Sequence, residues 1–230
     1  MTGLQLAQYR KQGKRTQAQA AIGLGVSQTY LSLLENGKRA VTERLRKKAV
    51  KAFGLAATEV PAKLTESSVR PVSDDQLAAD LAALGYKGFS HLKPSSRTKN
   101  PADVLLSALN TPKRDARLVE ALPWVVLAFS DLPWSELMRT AKAYDLQNRL
   151  GYVTNVARRV AEYRGDLETA KKLQRRELEL ERSLLVREET LCNETMTNAE
   201  RKWLADHRPE AAQRWHLLTD LSPQSINYYD

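Results

Sequence analysis

The sequence predicts an all-α protein in two parts. We expect a small basic domain of four to five helices, followed by a multi-helix bundle with one long charged helix. Three observations predict this fold. Apolar residues recur at spacings of three and four along most of the chain, which is the period of an amphipathic helix. Glycine, proline and helix-capping residues separate these segments at short intervals. The formal net charge of +9 falls entirely within residues 1–55, where eleven Lys and Arg residues face two acidic ones.

Composition excludes several classes of protein. The chain has 42% apolar and 27% charged residues, which is ordinary globular usage and excludes wholesale disorder. One cysteine and three histidines leave no material for a disulfide framework or a zinc cluster, so we expect no metal and no cofactor. The longest apolar run, 124–129, is far shorter than the roughly 20 residues that span a bilayer. Because the N-terminus also lacks an apolar signal region, we expect a soluble, cytoplasmic protein without a membrane partner.

The first 55 residues contain the start and stop signals of four short helices. Thr16 can cap the second helix, and Gly25 can end it because glycine readily adopts a positive φ. Ser27 can cap a third helix over 28–36, and a fourth is predicted over 42–53. Such a compact basic unit suggests a binding surface for a polyanion, although a basic face that is merely solvated remains the alternative.

Two short helices joined by a glycine turn form a helix-turn-helix motif. Over residues 4–55 the sequence resembles the Cro/repressor-type, or XRE, helix-turn-helix family. The residues that carry the resemblance are Thr16-Gln17, Ala20-Ala21, Gly25-Val26-Ser27, Gln28, Tyr30, Leu31 and Leu34-Glu35-Asn36-Gly37.

The resemblance implies that the third helix enters the major groove of DNA. The implied base-reading residues are Gln28, Thr29, Ser32 and Leu33. The candidate phosphate-binding residues are Gln17, Lys38, Arg39, Arg10, Lys14 and Arg15. Gln28 can bond adenine through its two polar atoms, and Thr29 can bond a base or touch a thymine methyl.

Two further features of this region have alternative interpretations. Leu33 departs from the polar residue usual at its position, so it either touches a thymine methyl or weakens readout. The basic run over 44–48 either contacts DNA or is solvated. The family keeps an acidic residue at the position of Glu35 away from the bases, so Glu35 is expected to be structural.

The rest of the chain is close to neutral in charge, and the spacing of its apolar residues indicates helices. We predict a DNA-binding domain over 1–57, a linker over 58–75 and a helical interaction or dimerisation domain over 76–230. The apolar run over 124–129 fits either a buried strand or a helix, and its helical neighbours favour the helix. A long helix is predicted from Asp166 to about Leu191, supported by pairs four residues apart, Glu168 with Lys172 and Arg175 with Glu179. It could pair with another chain or lie across its own bundle.

No usual catalytic constellation occurs in the sequence, so we expect no enzyme. Cys192 is more simply a buried apolar residue than a nucleophile. The polar segment over 145–152 has Asp145 as a candidate helix cap, and the remainder fits either a buried hydrogen-bond network or a site. The four tryptophans are most simply core residues, whereas an exposed pair would mark a partner surface.

These features predict a transcriptional repressor that binds double-stranded operator DNA as a homodimer. An XRE-type head on an enzyme-free body also resembles antitoxins of toxin–antitoxin operons, which repress their own promoter and neutralise a co-encoded toxin. The alternative is a plain or ligand-sensing regulator without a toxin partner. A third hypothesis is an enzyme, such as a nuclease, that the N-terminal domain directs to DNA.

Overall fold

The computed structural model describes residues 1–60, 62–95 and 98–226. The chain divides into two compact units, Met1–Pro61 and Ala62–Asp230, which we call the N-terminal unit and the C-terminal unit. The predicted all-α fold class is confirmed.

Four helices and one 3-10 turn build the N-terminal unit. They are α1 (Gly3–Gln12), α2 (Gln17–Leu24), α3 (Gln28–Glu35), α4 (Glu43–Phe53) and the turn Ala57–Glu59. Their buried faces enclose one apolar core made of Leu6, Ala20, Ala21, Leu24, Leu31, Leu34, Leu45 and Ala49. These residues recur at helical spacing within each segment, which is why the sequence located these helices to within a residue or two.

The C-terminal unit is a larger assembly of helices around its own core. Its first helices are α5 (Glu66–Val69), α6 (Asp74–Leu84), α7 (Pro101–Leu109), α8 (Ala116–Glu120), α9 (Leu122–Ala128) and α10 (Trp134–Ala143), with a 3-10 turn at Lys87–Phe89. They are followed by α11 (Gln147–Tyr163), α12 (Leu167–Glu181), α13 (Asn198–His207), α14 (Glu210–Arg214) and a 3-10 turn at Pro223–Ser225. The run over 124–129 lies mostly in α9, so the helical interpretation is confirmed.

Two short strands were not predicted. β1 (Glu189–Thr190) and β2 (Leu217–Leu218) pair in parallel. Each strand has only two residues, so neither can show an alternating pattern in the sequence. The pairing places the segment after α12 against the segment after α14.

The predicted long helix ends about ten residues earlier than expected. α12 stops at Glu181 because the backbone of Leu185 is bound by a buried side chain instead of by the next helical turn. The Asn148 amide donates to the Leu185 carbonyl over 2.8 Å and accepts from the Leu185 N–H over 2.9 Å. The two predicted ion pairs along this helix are also replaced. Lys172 lies 3.9 Å from Asp131, and Glu179 pairs with Arg176 over 3.1 Å.

The structure places much of the predicted linker, 58–75, against the C-terminal unit. Val69 is buried among the core residues of that unit, and its carbonyl accepts a hydrogen bond from the Asn110 amide over 2.8 Å. The Asp103 carboxylate accepts from the backbone N–H groups of Lys63 and Leu64 over 3.0–3.1 Å. These contacts use backbone groups and one valine, which leave no periodic pattern in the sequence.

Candidate nucleic-acid interface

Three local features fix the start of α2 and the turn between α2 and α3. The Thr16 hydroxyl accepts from the Gln19 N–H over 3.2 Å, while the Gln19 side chain accepts from the Thr16 N–H over 2.9 Å. Gly25 ends α2 with φ of +65°, and a Cβ there would also lie 3.1 Å from the Lys48 ammonium. Ser27 then caps α3 by accepting from the Tyr30 N–H over 3.1 Å. Gly25 and Ser27 together set the direction in which α3 leaves the turn.

Core packing decides which face of α3 is presented outward. Leu31 and Leu34 are fully buried in the N-terminal core, so the opposite side of the helix faces solvent. The four predicted base-reading residues fall on or beside this outer side. Gln28 and Thr29 are exposed, whereas Ser32 and Leu33 are half-buried. Ser32 also accepts a hydrogen bond from the Asn36 amide over 3.3 Å.

Three of the predicted phosphate-binding cations lie exposed. They are Lys14, Lys38 and Arg39. Within residues 1–60, 62–95 and 98–226, none of their side chains forms an ion pair or hydrogen bond. Lys38 and Arg39 lie shortly after the end of α3, and the backbone N–H groups of both residues bond to the Leu33 carbonyl. These bonds hold the backbone of the two cations at the C-terminal end of α3.

Arg10 and Gln17 lie in a different environment from these three cations. The Arg10 guanidinium forms a two-pronged ion pair with Glu35, with nitrogen–oxygen distances of 2.6 and 2.9 Å. The Gln17 amide donates to the same carboxylate over 2.9 Å. The hydrogen bond from Arg10 lowers the pKa of Glu35 below its ordinary value of 4.5, against an opposing effect of burial. Glu35 is 5% exposed, so the cluster ties α1, α2 and α3 together inside the unit.

Arg15 is also engaged within the N-terminal unit. Its guanidinium donates to the Ala52 carbonyl and stacks over the Phe53 ring at 5.2 Å from the centroid. The contact satisfies a carbonyl in the last turn of α4 and holds that end against the connection between α1 and α2. Arg10 and Arg15 are thus placed for structural roles that local sequence did not reveal.

Three of the four basic residues in the run over 44–48 bind groups within the N-terminal unit. Lys48 donates to the Leu24 carbonyl over 3.1 Å, and Arg46 donates to the Met1 carbonyl over 3.2 Å. Lys47 pairs with Glu43 over 2.7 Å. Arg44 is exposed, and among the described residues its side chain has no ion pair or hydrogen bond. Arg44 is therefore the member of this run best placed to meet an external anion.

The family comparison agrees with this geometry. Residues 3–62 match a family model described as a helix-turn-helix domain. The N-terminal unit is an XRE-type helix-turn-helix domain. This domain supports assignment of the protein as a DNA-binding transcription regulator. No match was found among the curated proteins or among the solved structures.

Outside the helix-turn-helix domain, the polar segment over 145–152 forms a buried network. Arg149 pairs with Glu189 over 3.2 Å and with Glu194 over 3.1 Å, and it donates to the Leu109 carbonyl over 2.8 Å. The expected cap at Asp145 is wrong. Asp145 has φ of +57° and lies 3.4 Å from Arg187, while the residue that precedes α11 is Leu146.

The remaining residues of chemical interest are mostly enclosed. Cys192 is fully buried, and burial raises the pKa of its thiol to about 11. Trp134 and Trp215 are core residues, whereas Trp203 is 55% exposed and stacks on His207 with ring centroids 4.5 Å apart. In the part of the chain that the structure describes, no group of three acidic, histidine or cysteine side chains could hold a metal ion. Over the same residues, no helix is long and apolar enough to cross a membrane.

Proposed function

We propose that this protein is a sequence-specific transcriptional repressor that reads its operator with α3. The observation that carries the proposal is the outward face of α3, which presents Gln28 and Thr29 at its start and is followed by the exposed cations Lys38 and Arg39. A helix presented in this way fits the major groove of B-DNA. Two copies would engage half-sites about one helical turn, roughly 34 Å, apart.

Base contacts and phosphate contacts fall to different residues in this proposal. Gln28 and Thr29 read base edges, Ser32 lies next to them along the helix, and Leu33 meets a thymine methyl. Lys14, Lys38 and Arg39 neutralise phosphates, which positions the protein without specifying sequence.

The other predicted phosphate contacts take narrower roles. Gln17 contributes its backbone N–H at the start of α2, because its side-chain amide is bonded to Glu35 and the first N–H groups of a helix lack helical partners. Arg10 and Arg15 stabilise the packing of helices within the N-terminal unit and do not bind phosphate.

The test is a comparison of two single substitutions by fluorescence anisotropy on operator and scrambled DNA. Gln28→Ala should abolish the preference for operator and keep most of the non-specific affinity. Lys38→Ala should weaken both, because a phosphate contact is common to all sequences. Gln8→Ala removes an exposed glutamine of α1 and serves as the control. Unchanged operator preference in Gln28→Ala would refute α3 as the reading helix.

We further propose that the repressor is the antitoxin of a toxin–antitoxin operon, with the C-terminal unit binding the toxin. The proposal rests on the resemblance of an XRE-type head joined to a separately cored helical body. Exposed Trp203 in that body provides the kind of side chain that often anchors protein interfaces. A plain or ligand-sensing repressor is the alternative.

Co-expression with the products of the neighbouring genes separates these two functions. An antitoxin should rescue growth from one of those products, and the full chain carrying Gln28→Ala and Lys38→Ala should rescue equally well. The substitutions lie in the N-terminal unit, so they remove operator binding alone. If no neighbouring product is toxic, or if rescue requires an intact α3, the antitoxin proposal fails and the plain repressor stands.

A further inference from the structure

One side of α12 is exposed to solvent and carries apolar residues at both ends. Leu167 and Leu178 are 62% and 51% exposed. They are eleven residues apart, which is about three helical turns, so both lie on the same side of the helix. Lys171 and Gln174 lie between them on that side and are exposed. Tyr163, 93% exposed, ends α11 just before α12 begins and adds apolar surface near Leu167.

Two charged residues border this side of α12 without a partner in the described part of the chain. Glu168 and Arg175 are both exposed, and neither has an ion pair or a side-chain hydrogen bond there. Several of their neighbours are paired within the unit: Lys172 with Asp131, Arg176 with Glu179, and Glu181 with Arg214. The acidic residue lies in the first turn of α12, and the unpaired arginine lies two turns further along.

We propose that this surface is a dimer interface in which α12 of one copy packs antiparallel against α12 of a second copy. We call it the α12 face, and it consists of Leu167, Glu168, Lys171, Gln174, Arg175 and Leu178. A two-fold axis through the middle of the helix brings Leu167 of each copy opposite Leu178 of the other. The same axis brings Glu168 of each copy within one turn of Arg175 of the other.

The charge order of the α12 face favours this arrangement over a parallel one. In a parallel pair the two-fold axis runs along the helices and places the Glu168 and Arg175 flanks of the two copies on opposite sides of the pair, so no Glu168–Arg175 attraction forms. The antiparallel pair keeps these flanks on the same side and forms the Glu168–Arg175 attraction twice, once in each direction between the copies. A surface that complements itself about a two-fold axis is the property required of an isologous dimer.

The size of the face indicates a weak association. A stable interface buries about 800 Å² on each partner, and six side chains of one helix with an adjoining tyrosine cover less than that. The dimer should therefore depend on protein concentration. This inference specifies the contact between copies in the proposed repressor, and two adjacent half-sites would strengthen it by raising the effective concentration of the second copy.

Cysteine cross-linking of the full chain without DNA tests the arrangement directly. Leu167→Cys and Leu178→Cys are each prepared, then oxidised alone and as a mixture. The native Cys192 is fully buried and does not compete. The mixture should form a disulfide-linked dimer. Each variant alone should not, because antiparallel packing separates its two cysteines by about 16 Å, beyond the roughly 7 Å between Cα atoms that a disulfide tolerates. Efficient cross-linking of either variant alone, or none in the mixture, overturns the proposal.

A charge-swap experiment by sedimentation equilibrium gives a second, independent measurement. Glu168→Arg or Arg175→Glu alone should raise the dimer dissociation constant about tenfold, since each converts two attractions into repulsions. The double swap should restore the wild-type value, and Glu136→Arg on α10 serves as a control with no effect. A double swap no better than the single changes, or a wild-type protein that stays monomeric at 100 μM, overturns the proposal. Neither measurement uses DNA, so a monomer that still recognises its operator would refute this interface and leave the repressor function intact.

Discussion

Glu35 shows how a single buried carboxylate can hold three helices together. Its carboxylate binds Arg10 of α1 and Gln17 of α2 while lying at the end of α3. The sequence could place an acidic residue at this position and favour a structural role for it. It could not identify the partners, because Arg10 is 25 residues away along the chain and no local pattern links the two. Caps such as Thr16 and Ser27 could be predicted because their partners are three residues away.

The pH dependence of stability should reveal this ion pair. The pKa of Glu35 is lowered by the hydrogen bond from Arg10, so the folded state binds a proton less readily than the unfolded state. The contribution is then fully present above about pH 4.5 and is lost as the pH falls through the lower folded pKa. We expect Glu35→Gln to destabilise the helix-turn-helix domain by about 3 kcal/mol at pH 7. Thermal unfolding at pH 7 and pH 3 should show the difference from wild type shrinking in acid, and an equal difference at both values would contradict it.

Salt dependence should separate the structural arginine from a phosphate-binding one. Arg39 is exposed after α3, whereas Arg10 is paired with Glu35. Each phosphate contact contributes about 0.9 to the slope of log K against log salt concentration. We expect Arg39→Ala to reduce that slope by about 0.9, while Arg10→Met lowers domain stability and leaves the slope unchanged. Binding isotherms at four salt concentrations measure the slope for each variant, and thermal unfolding measures the stability of Arg10→Met. A reduced slope in folded Arg10→Met would return Arg10 to the phosphate contacts.

At the scale of elements, one close approach fixes how α11 packs against the residue that follows α14. Gly151 of α11 lies against the fully buried Trp215 ring, so that a Cβ on Gly151 would be only 2.1 Å from the ring atom Cζ3. Glycine in a helix interior normally costs about 1 kcal/mol relative to alanine. Its presence in α11 is explained by this contact. The sequence could not show it, because the two residues are far apart along the chain.

A double-mutant cycle tests this packing. Gly151→Ala should destabilise the C-terminal unit by about 1–3 kcal/mol, since the ring has no room to move in a filled core. In a Trp215→Leu background the same change should become neutral or slightly stabilising, because the smaller side chain leaves space for the methyl group. Denaturant unfolding of the four proteins gives the coupling free energy. Equal costs in both backgrounds would mean that the ring and the glycine do not meet.

The early end of α12 depends on a contact that can be removed. Asn148→Ala leaves the N–H and carbonyl of Leu185 without their side-chain partners, and a buried unsatisfied group costs about 1–3 kcal/mol. We expect faster amide hydrogen exchange across residues 182–188 and a loss of about 2–4 kcal/mol in unfolding free energy. Asn198→Ala, at an exposed position in α13, should change both by little. Unaltered exchange in Asn148→Ala would mean that another contact ends the helix.

For the whole molecule, the boundary between the two units decides which fragments remain folded. Local patterns predicted the helices of the N-terminal unit, but the start of the C-terminal unit depends on contacts of Val69 and Asp103 that cross long stretches of sequence. A fragment over 62–230 keeps those contacts, whereas a fragment over 76–230 loses them. We expect the first to unfold at the temperature of the C-terminal unit in the full chain, and the second about 5 °C lower or more. Circular dichroism melts measure this, and identical melting temperatures would show that residues 62–75 add no stability.

The distribution of tryptophans between the two units has a practical consequence. Trp124, Trp134, Trp203 and Trp215 all belong to the C-terminal unit, while the helix-turn-helix domain carries tyrosines and a phenylalanine as its aromatic residues. Tryptophan emission therefore reports on the C-terminal unit alone. If adding operator DNA shifts that emission, DNA binding by the N-terminal unit changes the environment of tryptophans in the C-terminal unit, and the two units are coupled. If the emission stays constant while the DNA is bound, the head acts as an independent module.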